Sequence, residues 1–209
     1  MVDADDTNEA NANGRQGRVA AVVLAAGVGS RFDGGNKLLV GVDDDPLVRR
    51  ATETVCAAAV DPVVVVLGHD AERVREALTG LPVETVTNPR YDAGQSTSVA
   101  VGVDALPVDV EYAVFALGDM PDVTVETVDR LVAAARETDA DAVVPTYEEQ
   151  RGNPVVFHRR RFDALAAVDG DRGGRALFDD STVTRLAVDD SGVHRDVDTR
   201  DDLDDRDRP

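Results

Sequence analysis

The stretch LAAGVGSRFDGGNKLL, residues 24–39, places Arg31 and Lys37 among Gly27, Gly29, Gly34 and Gly35, immediately after an apolar run. Glycines admit positive φ and let backbone N–H groups approach a ligand without interference from Cβ. Successive exposed amides after a strand form a concavity that attracts anions. Arg grips phosphate oxygens through two N–H groups, and Lys is a mobile point charge. Together these features describe a triphosphate site, although the same residues would also make a plain flexible turn. Lys37 is the only lysine in the chain. Its place in the one glycine-rich anion loop argues that it is kept for a task. Two common phosphate loops do not match. A dinucleotide fingerprint needs G-x-G-x-x-G, and Phe32 stands at its third glycine; a Walker A loop needs Ser or Thr after the lysine, and Leu38 stands there.

The second chemical segment is FALGDMPDV, residues 115–123. Asp119 ends an apolar run and Pro121 enforces a turn. Triphosphate chemistry uses Mg²⁺, which binds one or two carboxylates together with phosphate oxygens. Asp119 is therefore the expected metal ligand, against the alternative of a turn-forming Asp; Asp122 fits turn chemistry better. A third segment, NPRYDAGQSTSVAVGV at 88–103, leads Gly94 and Ser96 into a helical pattern. Such a turn offers amides and a hydroxyl to a nucleotide, and equally makes a simple N-cap. His69, His158 and His194 show no metal-ligand spacing, and Cys56 lies in an apolar helical stretch, as a structural thiol does.

The stretch LAAGVGSRFDGGNKLLVGVDDDPLV resembles the pattern L-A-A-G-x-G-x-R-[MF]-G-x-x-K-x-L of nucleotidyltransferases with a glycosyltransferase-A-like fold. Within them it is most similar to the molybdenum cofactor cytidylyltransferases. LAAG stands where the guanylyltransferase branch reads LAGG, no Pro precedes Lys37, and the spacing from Arg31 to Lys37 is short. Phe32-Asp33 replaces the usual Met-Gly, and no glycine precedes Pro46-Leu47. Five more segments match in order between residues 19 and 203. The 88–103 segment implies nucleotide contacts by Asn88, Gly94, Ser96 and Ser98. LGDMP implies a metal at Asp119. VVPTYEEQRGNPVVF (143–157) and GDRGGRALF (170–178) imply that Arg151, Asn153, Asp171 and Arg175 face the acceptor. DVDTRDDL (196–203), with Arg200 in place of Pro, implies a second metal carboxylate, Asp198 in preference to Asp196. The resemblance further implies that the main chain of Leu24, Ala25, Ala26, Gly27, Gly29 and Ser30 cradles the nucleotide, with Arg31, Lys37 and Asp119 catalytic. The donor it implies is CTP, the acceptor a molybdopterin-type cofactor, the cation Mg²⁺ or Mn²⁺, and the partner a receiving molybdoenzyme or its maturation chaperone.

These residues need a scaffold that gathers strand ends. Apolar runs at 18–26, 62–68, 83–88, 112–119, 141–147 and 153–158 alternate with helical patterns at 46–60, 70–80, 96–106, 124–138, 159–168 and 173–180. The pattern predicts Asp70 and Ser96 as N-caps. Alternation of this kind predicts a three-layer α/β/α sandwich with a mostly parallel, Rossmann-like sheet. Ligands bind outside the carboxyl ends of such strands. One domain over 18–203 is expected, between disordered tails at 1–17 and 204–209.

The 209 residues carry a formal charge of −19, with 41 acidic and 22 basic residues. Such a surface repels nucleic acid and anionic membranes. Asp spread along the chain, with almost no Lys, fits solvation at high salt and a salt-loving host. No apolar run reaches membrane-spanning length, and the acidic N-terminus differs from a signal peptide, so a cytoplasmic location is expected. Three competitors remain: a nucleotidyltransferase using GTP or a sugar or alcohol phosphate, a non-catalytic cofactor-binding protein of the same fold, and a dinucleotide-binding oxidoreductase.

Overall fold

A computed structural model describes residues 17–27, 35–42, 45–168, 182–199 and 202–203. Gly29, Ser30, Arg31, Asp171 and Arg175 lie outside the described residues, as do both terminal tails and the helix expected over 173–180.

The apolar runs become strands: β1 (Arg18–Ala25), β4 (Val63–Leu67), β5 (Glu84–Thr87), β6 (Val110–Leu117), β7 (Ala142–Tyr147), β9 (Val155–His158) and β10 (Val183–Ala187). Three two-residue strands join them: β2 (Gly41–Val42) pairs antiparallel with β3 (Asp45–Pro46), and β8 (Gln150–Arg151) pairs with β7. The main sheet runs β10-β7-β9-β6-β1-β4-β5. β5, β4, β1 and β6 are mutually parallel, whereas β9 runs antiparallel to both β6 and β7. Val63 to Leu67 are all buried, because β4 is covered on both faces and cannot alternate apolar with polar.

Five α-helices are described: α1 (Leu47–Ala57), α2 (Ala71–Ala77), α3 (Gln95–Asp104), α4 (Val125–Thr138) and α5 (Phe162–Ala166). Alternate residues of β1 separate the two apolar layers. Ala21, Val23 and Ala25 face Val48 and Val55 of α1, Val74 of α2 and Val128 and Leu131 of α4. Ala20 and Val22 face Val99 of α3 and Phe162 and Leu165 of α5. The three-layer sandwich is thus present, with β9 and the short β8 as the antiparallel exceptions.

Of the two expected caps, Asp70 does stand at the cap position of α2, but with φ 53° and no side-chain cap bond; its carboxylate instead reaches Arg73 at 3.3 Å. Ser96 is not the cap of α3 but its second residue, 3% exposed, and Gly94 takes the cap position with φ 111°. That left-handed conformation favours glycine, so the main chain itself turns into the helix there. Thr124 does cap α4, accepting from the Thr127 N–H. No helix among the described residues is long and apolar enough to cross a membrane.

Candidate active site at the carboxyl ends of β1 and β6

From β1 the chain passes to β4 and β5 on one side, then returns to β6 on the other. The strand order therefore reverses at β1, where open α/β sheets form a ligand crevice. The carboxyl ends of β1 and β6 stay fastened past the last ladder pair, the Gly118 N–H donating to the Leu24 carbonyl at 3.0 Å. Asp119 follows directly.

Lys37 opens a 3-10 turn over Lys37–Leu39. Asn36 sets that turn. It is 4% exposed, its Oδ1 accepts from the Leu38 N–H at 3.0 Å, and its Nδ2 donates to the His69 carbonyl at 3.3 Å. Leu38 is buried beneath, which fixes the turn against the core. Lys37 Nζ then lies 2.7 Å from Asp119 Oδ2 and 2.6 Å from Asp198 Oδ1. The Lys37 side chain is only 12% exposed. Burial alone would lower its pKa, but the adjacent charges of Asp119 and Asp198 outweigh that and raise it, so the ammonium stays charged.

Asp198 comes from the far end of the chain, where two fastenings place it. The Val197 N–H donates to the Asp119 carbonyl at 3.0 Å. Asp202 Oδ2 accepts from the N–H groups of Asp198 at 2.9 Å and Thr199 at 2.7 Å, and from the Thr199 hydroxyl at 2.9 Å. These donors hold the Asp202 carboxyl below the usual range. Asp196 keeps solvent access, yet the protein around its carboxyl partly desolvates it and raises its pKa; the charges of Asp119 and Asp198 push the same way.

In the segment at 88–98, Asn88 is 1% exposed; its Nδ2 donates to Thr97 Oγ1 at 2.8 Å and Ser98 Oγ at 2.9 Å, and its Oδ1 accepts from the Arg90 N–H at 2.9 Å. Ser96 and Ser98 are also buried. Asn88 and Ser98 bond each other and brace the turn around Gly94. Of the loop main chain, the carbonyls of Leu24 and Ala26 are taken by Gly118 and His69, Ala25 is buried, and Gly27 is exposed. Arg151 is exposed on β8, and the Asn153 N–H donates to the Val193 carbonyl at 2.9 Å, which ties the expected acceptor turn to the segment leading to Asp198.

The donor set suits Mg²⁺. Two carboxylates, Asp119 and Asp198, converge on the Lys37 ammonium, and among the described residues no group of three metal-binding side chains forms a full protein cage. Mg²⁺ takes one or two carboxylates and completes its shell with phosphate oxygens and water. Sequence reading missed Asn36 and Asp202, each of which positions rather than presents. Asn36 beside the single lysine was the available signal.

A family model described as the MobA-like NTP transferase domain matches residues 21–186. Nicotine blue oxidoreductase of Paenarthrobacter nicotinovorans is 31% identical over 189 residues, covering 87% of this chain and 92% of that protein. The crystal structure of Rv0371c from Mycobacterium tuberculosis H37Rv is 28% identical with TM-score 0.80, covering 91% of this chain and 98% of that one. A complex of Rv0371c with manganese is 30% identical with TM-score 0.76, covering 90% and 97%. The architecture is the nucleotide-diphospho-sugar transferase-like fold. On the match over residues 21–186, the chain belongs to the MobA-like NTP transferase family.

Proposed function

We propose that the protein transfers CMP from CTP to the phosphate of a molybdopterin-type cofactor and releases pyrophosphate. The observation that carries the reading is the convergence of Lys37, Asp119 and Asp198 at the strand-order reversal. The acceptor phosphate attacks the α-phosphorus in line. A phosphate monoester is already anionic at neutral pH, so no general base is needed. Lys37 supplies a fixed positive charge to triphosphate oxygens, and Arg31 is proposed to add a second. Asp119 and Asp198 would hold Mg²⁺, which when bound neutralises charge on the leaving pyrophosphate. Arg151, Asn153, Asp171 and Arg175 are proposed to orient the acceptor, and positioning contributes the rest of the rate. The manganese complex of Rv0371c supports a divalent cation in this fold. LAAG in place of LAGG favours CTP over GTP.

The relationship to nicotine blue oxidoreductase favours one second reading, a redox activity. Two assays separate them. Label from [α-³²P]CTP should appear in the molybdopterin product, and NADH or NADPH should not be consumed with quinone-like acceptors. Reduced-nucleotide consumption without label transfer would overturn the transferase reading.

A further inference from the structure

Asp190 takes no part in the site as derived above, yet it is buried at 8% exposure with four donors converging on its carboxylate. Oδ2 accepts from the Thr124 N–H at 3.0 Å, the Thr124 hydroxyl at 2.9 Å and the Thr127 hydroxyl at 2.6 Å. Oδ1 accepts from the Gly192 N–H at 2.9 Å. Both threonines belong to the start of α4, so the bonds pin the segment after β10 to that helix. From Asp190 the chain makes a 3-10 turn over Ser191–His194 and runs to Asp198.

Two main-chain bonds also hold this run, beside the His194 ring on the Gln150 carbonyl and the Asp202 carboxylate on the Asp198 N–H. Val193 accepts from the Asn153 N–H, and Val197 donates to the Asp119 carbonyl. Just before them Gly192 lies against the turn after Asp119: a Cβ there would stand 2.3 Å from the Asp122 carbonyl oxygen. Asp190 is therefore the side-chain anchor at one end of a strap whose other end delivers a carboxylate to Lys37.

We infer that Asp190 is a positioning residue for the divalent cation: by anchoring the 190–198 strap to α4, it sets Asp198 opposite Asp119. The inference rests on the nucleotidyl-transfer reading for the cation itself. A carboxylate is required because four donors need two accepting oxygens. The amide of Asn would turn an NH₂ toward at least one of them. Groups that orient metal ligands from behind typically change metal affinity 10- to 100-fold when removed.

The test counts Mn²⁺ binding to the full chain by electron paramagnetic resonance, first with Mn²⁺ alone and then with Mn²⁺ and CTP. Asp190→Asn should weaken Mn²⁺ binding about tenfold. In an Asp198→Asn background the same change should cost little further, because the ligand it positions is gone. Thr127→Val, which removes a single donor, should shift binding in the same direction and serves where Asp190→Asn fails to fold. Unchanged Mn²⁺ binding in folded Asp190→Asn, or an equal loss in the Asp198→Asn background, would overturn the inference while leaving the nucleotidyl-transfer reading intact. Wild-type protein that takes up no Mn²⁺ even with CTP would overturn both.

Discussion

Lys37 meets both acidic residues within 2.7 Å, and that triad concentrates the chemistry at the residue scale. Lys37→Ala and Asp119→Ala should each lower turnover at least about a hundredfold, measured as pyrophosphate release at saturating substrate. Lys37→Arg should also lose activity. The ammonium sits between two carboxylates at 12% exposure, and a planar guanidinium is larger and presents its donors in a fixed fork. Full activity in Lys37→Arg would refute a specific need for lysine. Asp198→Asn should raise the Mg²⁺ concentration for half-maximal rate about tenfold or more, and Asp196→Asn much less, since Asp198 rather than Asp196 reaches Lys37. An equal effect of the two would contradict the assignment. Lys37 and Asp119 stood out in the sequence by residue type and place, and Asp198 only through the resemblance; the structure brings the three side chains together. For Asn88 residue type selects nothing: a polar side chain in a turn looks the same whether it faces a ligand or another side chain, and its 1% exposure and its bond to Ser98 appear only in the structure.

At the scale of elements, the strands were the easiest to read. The continuous apolar residues of 63–67 have no alternation because both faces are covered. Helix starts were harder. A Ser or Asp before an apolar pattern predicts a cap, but Gly94 and a left-handed Asp70 took the turns at α3 and α2. The strap from Asp190 to Asp198 was legible only at its motif end, since its anchor depends on threonines more than sixty positions away. Burial by itself would raise the Asp190 pKa, but bonds from Thr127, Thr124 and Gly192 outweigh it and hold the carboxyl below the usual range. Its ionised form is thus stabilising above the unfolded value of about 3.9, and that contribution is lost as pH falls through the lower folded value. Asp190→Asn should cost about 2–3 kcal/mol in urea unfolding at pH 7, and the gap to wild type should shrink below about pH 4. A gap independent of pH would contradict the anchored carboxylate. Gly192→Ala should destabilise by about 1–3 kcal/mol, because its Cβ would meet main chain rather than a movable side chain.

For the whole molecule, the order β5-β4-β1-β6 brings the ends of β1 and β6 together, and the strap carries the end of the chain back to the same crevice. The alternation of apolar runs predicted the layers; the antiparallel insertion of β9 was not visible, because pairing direction leaves no mark on a short buried run. The charge of −19 acts on the molecule as a whole. Self-repulsion over many carboxylates is screened as the Debye length falls from about 10 Å at 0.1 M to about 3 Å at 1 M salt. The thermal midpoint should therefore rise between dilute buffer and 2 M KCl, and a flat or falling midpoint would contradict a repulsive surface. The most direct measurement is Mg²⁺-dependent pyrophosphate release from each of the four NTPs in high KCl, with and without molybdopterin. The account predicts release from CTP that requires molybdopterin, falls with chelation of Mg²⁺, and is lost in Lys37→Ala. Absence of release and of binding with every NTP would contradict it.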